Sequence, residues 1–162
     1  MGHLALDFGI AWSSAGQITS TGSLEECRLL YQYAREYPEC IIEAGWRVGR
    51  ATAMISHAVQ KEGKPHYLEE ARKRTGKWKG PEVSLLWIEG EEGADIAARQ
   101  WEHCVWYCSR DVKLLIHSSS SKGGLAVIKR SRAAGFIIVD EVGSLAVMER
   151  SGSQISWLYS YT

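Results

Sequence analysis

Two short apolar runs separated by an amphipathic stretch constrain this chain most. The first, His3-Leu4-Ala5-Leu6-Asp7-Phe8-Gly9, carries Asp7 near its end with a glycine following. The second, Cys40-Ile41-Ile42-Glu43-Ala44-Gly45, places Glu43 in the same way. Between them Leu24, Cys27, Leu30, Tyr31 and Ala34 recur at helical spacing, and Pro38 follows. Ser23 and Glu26 have the spacing of a capping box. This pattern predicts a helix over 24–36, and the flanking runs read as strands of one sheet. Strand, helix and strand in succession place the chain among α/β folds.

The rest of the chain extends that pattern. Residues 3–12 read as a strand and 17–21 as a second, giving a short opening meander. Ile41 and Ile42 suit a buried strand over 39–44. Val48, Ala51, Met54, Ile55, Ala58 and Val59 mark a helix over 47–60, ended by Gly63 and Pro65. Residues 66–68 read as a short strand, 69–74 as a helical turn and 75–81 as a breaker-rich loop. Residues 83–88 fit strand or helix. Ile96, Ala97, Trp101, Cys104, Val105 and Cys108 predict a helix over 91–108. Beyond it, 112–116, 136–139, 144–148 and 154–161 read as strands, and 125–132 as helix or strand. Residues 118–121 form a flexible polar run before Lys122-Gly123-Gly124, and Val142-Gly143 and Ser151-Gly152 mark hairpin breaks. The change near residue 112 divides the chain into residues 1–111 and a β-rich extension, 112–162. The extension is small for independent folding and is expected to pack on the same domain.

Composition matters through what it excludes. A chain of 162 residues, 45% hydrophobic and 23% charged, can hold one full core. No apolar run approaches the roughly 20 residues of a membrane span. Asp7 stands where a signal peptide would be apolar, so no targeting segment is expected. The expected setting is the cytoplasm, or the host-cell cytoplasm for a viral chain. Cys27, Cys40, Cys104 and Cys108 suit reduced thiols. Cys104 and Cys108 could share one helix face, but only His103 lies near enough to add a zinc ligand.

The formal net charge is zero, which counts against a nucleic-acid enzyme. Its distribution softens that point. Lys61, Lys64, Arg72, Lys73, Arg74, Lys77 and Lys79 cluster ahead of Glu82, Glu89, Glu91, Glu92 and Asp95. A basic surface beside an acidic pocket gives the same neutrality as a solvated charged face. The run from Phe136 to Glu141 lacks the phosphate loop that a nucleotide hydrolase needs. The five histidines show no ligand spacing, and no Ser/His/Asp triad can be assembled.

Asp7, Glu43, Glu92 and Asp95 remain as candidates for chemistry. A lone carboxylate on a buried strand end is costly. Glu92 and Asp95 would share one face in the first turn of a helix, where acids also complement the dipole. Converging carboxylates can hold two Mg²⁺ or Mn²⁺ ions. One ion activates water and the other stabilises the leaving oxygen of a phosphodiester.

In this order and spacing the chain resembles the RNase H-like nuclease superfamily, and most nearly its RuvC-type Holliday-junction resolvases. Ile41-Ile42-Glu43 resembles the strand that ends in a catalytic Glu. Val48-Gly49-Arg50-Ala51 resembles the opening of the next helix, and residues 64–74 its following strand and basic segment. Glu92-Gly93-Ala94-Asp95-Ile96-Ala97-Ala98 resembles the Asp-x-x-Asp helix. The likeness covers residues 3–108.

The resemblance implies an RNase H-like mixed β-sheet flanked by helices. It also implies a Mg²⁺- or Mn²⁺-dependent endonuclease that resolves four-way DNA junctions as a homodimer. Asp7, Glu43, Glu92 and Asp95 would be catalytic metal ligands, with Glu91 competing for the role of Glu92. Trp46, Arg47, Arg50, Arg72, Lys73, Arg74, Lys77, Trp78 and Lys79 would contact branched DNA in recombination and repair, and Trp78 could stack on an unpaired base. The alternatives within the same fold are a non-catalytic binding or assembly module and a nuclease for RNA–DNA hybrids or flaps.

Overall fold

Parallel pairing organises the chain around one short buried strand. The structure is a computed structural model that describes residues 2–15, 18, 22–45, 49–60, 63–69 and 80–151. Strand β1 (Ile41–Ala44) pairs in parallel with β2 (His66–Glu69) on one side and β3 (Val83–Glu89) on the other. Helix α3 (Arg50–Gln60) makes the crossover from β1 to β2. Helix α4 (Ala94–Cys104) leads from β3 to β4 (Cys108–His117), again in parallel. Helix α5 (Lys122–Ala133) then leads to β5 (Phe136–Val142), which turns at Gly143 into β6 (Leu145–Arg150). Strand β6 inserts antiparallel between β4 and β5, so among the described residues the sheet has six strands in the order β2-β1-β3-β4-β6-β5.

Alternation along the strands divides the core in two. Ile42, Leu86, Ile88, Leu114 and Ile116 pack with Ala97, Trp101, Val127 and Ile128 beneath α4 and α5. Ile41, Leu85, Trp87 and Leu115 face the other way. They pack with residues of α3, of α1 (Gly2–Ala15) and of α2 (Leu24–Glu36). β1 is buried along its whole length, as expected of a central parallel strand covered on both faces. Each large aliphatic residue in these layers contributes about 1.5–3 kcal/mol on burial.

Several expectations hold. The capping box forms as read: Ser23 Oγ accepts from the Glu26 N–H at 3.2 Å, and Glu26 Oε2 accepts from the Ser23 N–H at 2.6 Å. The ambiguous run 83–88 is strand, and 125–132 is helix, capped by Ser121. The α/β class with a mixed sheet flanked by helices is correct.

Other expectations are corrected. The run 3–12 is helical, not a strand. Phe8, Ala11 and Ala15 are buried at helical spacing, and its Leu and Ala residues favour a helix more than β-branched residues would. The opening meander of an RNase H-like sheet is therefore absent among the described residues, and β1 is the first strand there. The helix expected over 91–108 is shorter. Gly93 at φ 96° separates a 3-10 turn, Gly90–Glu92, from α4, and a second such turn, Val105–Tyr107, delivers the chain into β4 at Cys108. Cys104 and Cys108 thus share no helix face, and Cys108 Sγ instead donates to the Cys104 carbonyl at 3.5 Å. The strand expected over 17–21 lies outside the described residues except for Ile18, and that over 154–161 lies outside them entirely. The helical turn over 69–74 also lies outside them, apart from Glu69, which ends β2. Among the described residues no helix is long and apolar enough to cross a membrane.

Candidate functional site

From β1 the chain moves outward to β2, then returns to β3 on the other side of β1. At such a switch point the loops leave in opposite directions and open a crevice beyond the carboxyl ends of the strands. Ligands of open parallel sheets bind there. Four features meet at this edge. Gly45 follows β1, Gly49 precedes α3, Glu69 ends β2 in register with Ala44, and Glu89 ends β3 in register with His117 of β4.

Glu43 lies just below the edge and is buried. Thr52 Oγ1 donates to Glu43 Oε1 at 2.8 Å and accepts from the Gly49 N–H at 3.0 Å. His66 Nε2 lies 3.2 Å from Glu43 Oε2, while its Nδ1 lies 3.1 Å from Ser56 Oγ. Both carboxylate oxygens are therefore held within the protein, which answers the cost of burying them.

A second cluster gathers where β3 and β4 end. His117 is 3% exposed and stacks on Trp87, with ring centroids 5.5 Å apart. Its Nδ1 lies 3.0 Å from both oxygens of Glu89, and its Nε2 lies 3.8 Å from Glu26 Oε2. Glu26 also accepts from the Ser144 N–H at 2.5 Å and the Ser144 hydroxyl at 2.7 Å. Burial alone would lower the His117 pKa. The hydrogen bond and charge of Glu89, with the charges of Glu26 and Glu91, outweigh it and hold the imidazole above the usual histidine range. Burial alone would raise Glu26. Hydrogen bonds from Ser23 and Ser144, with the charge of His117, instead hold it below the usual carboxylate range. The Glu89 side chain keeps 28% of its surface exposed, so Glu89 meets solvent at this edge while His117 stays behind it.

The floor beside this pair is packed backbone to backbone. A Cβ on Gly123 would lie 2.1 Å from the Gly90 carbonyl, and one on Gly124 would lie 2.3 Å from the Ser118 carbonyl. Ser121 Oγ adds a hydrogen bond to the Gly90 carbonyl at 2.9 Å. The Lys122-Gly123-Gly124 sequence is thus a helix start pressed against the β3 turn.

The residues expected to hold metal are dispersed. Asp7 is on α1 and Glu43 is on the sheet face that α1 covers. Glu92 ends the 3-10 turn, and Asp95 begins α4 on the opposite layer. Among the described residues no three His, Cys, Asp or Glu side chains are grouped to hold a metal ion. The expected Mg²⁺ or Mn²⁺ centre is corrected accordingly. Arg50, expected on DNA, turns to its own chain. It donates to the Gly22 carbonyl at 2.8 Å and the Ile18 carbonyl at 3.0 Å, and lies 5.0 Å over the Trp12 ring. Trp46, Arg47, Arg72, Lys73, Arg74, Lys77, Trp78 and Lys79 lie outside the described residues. Sequence reasoning passed over His117, Glu89, Thr52 and His66, and read Glu26 only as a cap. The available signal was a buried strand, a glycine turn and a helix in succession from Ile41 to Arg50.

No family model matches the sequence, and no curated protein does. Solved structures do match. The O-methyltransferase NovP aligns with a TM-score of 0.67 at 7% identity, over 92% of this chain and 98% of that one. A putative caffeoyl-CoA O-methyltransferase from Staphylococcus aureus aligns at 0.62 with 10% identity, over 89% and 92%. The SAH-bound methyltransferase PaMTH1 from Podospora anserina aligns at 0.60 with 10% identity, over 90% and 88%. The chain therefore has the fold of these methyltransferases and not that of an RNase H-like nuclease. This overturns the resemblance to RuvC-type resolvases, and with it the junction endonuclease, the branched-DNA partner, and the RNase H-like alternatives of binding module and hybrid or flap nuclease.

Proposed function

We propose that this chain is an S-adenosylmethionine-dependent O-methyltransferase acting on a small hydroxylated molecule. One observation carries the reading most. The Glu89–His117 pair lies at the carboxyl edge of a parallel sheet, beside the switch point, in a fold shared with proteins named as O-methyltransferases. The cofactor is suggested by the SAH in the Podospora structure.

The residues at this edge fit such a cofactor. The carboxyl end of β2, in register with that of β1, would border the ribose. Gly45 lets a ligand approach the backbone closely where β1 ends. The first turn of α3 holds no acidic residue, so its amides and dipole favour an amino-acid carboxylate. When bound, the cofactor supplies an electrophilic methyl group.

The chain's own part is to position and deprotonate the acceptor. A substrate hydroxyl reaching Glu89 hands its proton to a carboxylate oxygen there. His117, bonded to both oxygens from behind, fixes the orientation of that carboxylate. Its positive charge also lies near the oxygen that becomes negative.

The test is calorimetric titration with S-adenosylhomocysteine, followed by transfer of a labelled methyl group to a panel of phenols. Binding, with transfer that disappears in Glu89→Gln, is the expected result. No heat and no melting shift at millimolar S-adenosylhomocysteine would sink the proposal.

A further inference from the structure

We infer that Thr52 and His66 are positioning residues that act through Glu43 to preset both walls of the cofactor crevice. The inference rests on the cofactor reading above. Glu43 divides its two oxygens between two elements. Through Oε1 it holds Thr52, whose hydroxyl in turn receives the Gly49 N–H. Gly49 immediately precedes the first residue of α3, and Thr52 stands at its third position, so this is the reverse arm of a capping box. The bond satisfies an amide at the helix start and fixes where the turn after β1 re-enters the fold.

Through Oε2, Glu43 holds His66, the first residue of β2. Ser56 on the same helix, α3, holds the other ring nitrogen. Among the described residues β2 is an outer strand with one sheet neighbour, β1, and it ends at Glu69. The His66 contact ties this lightly held strand to β1 and α3 together. One buried carboxylate thereby sets the spacing between the α3 start and β2, the elements assigned to opposite ends of the cofactor. None of Glu43, Thr52 and His66 needs to touch the ligand.

A buried hydrogen-bonding network of this kind costs more to leave half satisfied than it contributes when complete. Thr52→Val keeps the shape of the side chain and removes the hydroxyl. It strands Glu43 Oε1 and frees the Gly49 amide. We expect S-adenosylhomocysteine affinity to fall about tenfold in Thr52→Val and to return in Thr52→Ser. At saturating cofactor kcat should be preserved, so the loss appears in the cofactor KM. Hydrogen exchange of the ligand-free protein gives a readout independent of the ligand. The Gly49 amide should exchange faster in Thr52→Val, and β1–β2 ladder amides faster in His66→Ala.

A merely structural role would lower Tm while leaving affinity intact well below the transition. Unchanged affinity in Thr52→Val under those conditions overturns the inference, as does unchanged Gly49 exchange. If the wild type itself fails to bind, the cofactor reading falls, and the exchange of Gly49 still decides whether Thr52 sets the turn.

Discussion

The parallel part of the sheet holds two histidine–carboxylate pairs of opposite character, one reaching from β1 back to the start of β2 and the other at the carboxyl ends of β3 and β4. Glu43–His66 is closed. Thr52 takes one carboxylate oxygen, His66 takes the other, and the Glu43 side chain is 6% exposed. Glu89–His117 is open on one side. His117 occupies the inner approach to both oxygens, and the outer side of Glu89 meets solvent. The same two residue types therefore do different work. A carboxylate whose acceptor sites are filled from within can hold structure in place. One whose outer lone pairs remain available can also take a proton. Glu26 makes the second cluster structural as well, since it joins His117 to the α2 cap and to Ser144 in the β5–β6 turn.

Removing the charge from each carboxylate should break this comparison most sharply. Glu89→Gln is expected to reduce methyl transfer roughly a hundredfold or more, because an amide cannot accept the hydroxyl proton. Its S-adenosylhomocysteine affinity should change little, whereas Tm should fall, because the buried His117 loses its principal charge partner. A Glu89→Gln enzyme with wild-type turnover would remove Glu89 from the mechanism. Glu26→Ala tests the structural side. It leaves His117 with one carboxylate, removes the acceptor for two Ser144 donors and opens the cap of α2. The expected loss is about 3 kcal/mol, read by denaturant unfolding. A loss no larger than that of an ordinary surface substitution would show that Glu26 does not join the two halves of the sheet.

The contrast between the pairs also explains what could be read in advance. Helix α2 was legible because its signals are local: the cap, the apolar spacing and Pro38 all lie within one segment. β1 and α3 were legible for the same reason. Residues 3–12 were misread because a short run rich in Leu and Ala fits either period, and burial against α3 decides it. Glu43 stood out as a costly carboxylate on a buried strand, yet its partners Thr52 and His66 are fixed by a helix turn and by strand register. His117 and Glu89 were invisible because parallel pairing of β3 and β4 brings them together.

The pH dependence of stability sharpens the comparison with a smaller effect. His117 has a raised pKa in the folded protein, so its contribution is complete below the usual histidine range. That contribution is lost as pH climbs through the raised value. Glu26 has a lowered pKa, so its contribution is complete above the usual carboxylate range and is lost as pH falls through the lowered value. Tm should therefore hold a plateau between these limits and fall on both sides. His117→Gln should remove the alkaline fall that begins above the usual histidine range. An alkaline limb that persists unchanged in His117→Gln would assign it to another group.

The smallest expected effect separates the two duties of Glu26. Ser23→Ala removes the hydroxyl that accepts the Glu26 N–H, but leaves the Ser23 N–H on Glu26 Oε2 and both Ser144 bonds in place. The loss should be about 1 kcal/mol, the ordinary cost of an N-cap. If Glu26 were only a capping residue, Glu26→Ala and Ser23→Ala would cost similar amounts, since each breaks one arm of the same box. The additional loss in Glu26→Ala measures the link to Ser144 and His117, and the double variant should cost about the sum of the two, because Glu26→Ala leaves the residue-26 N–H on the Ser23 hydroxyl and Ser23→Ala then removes that second arm.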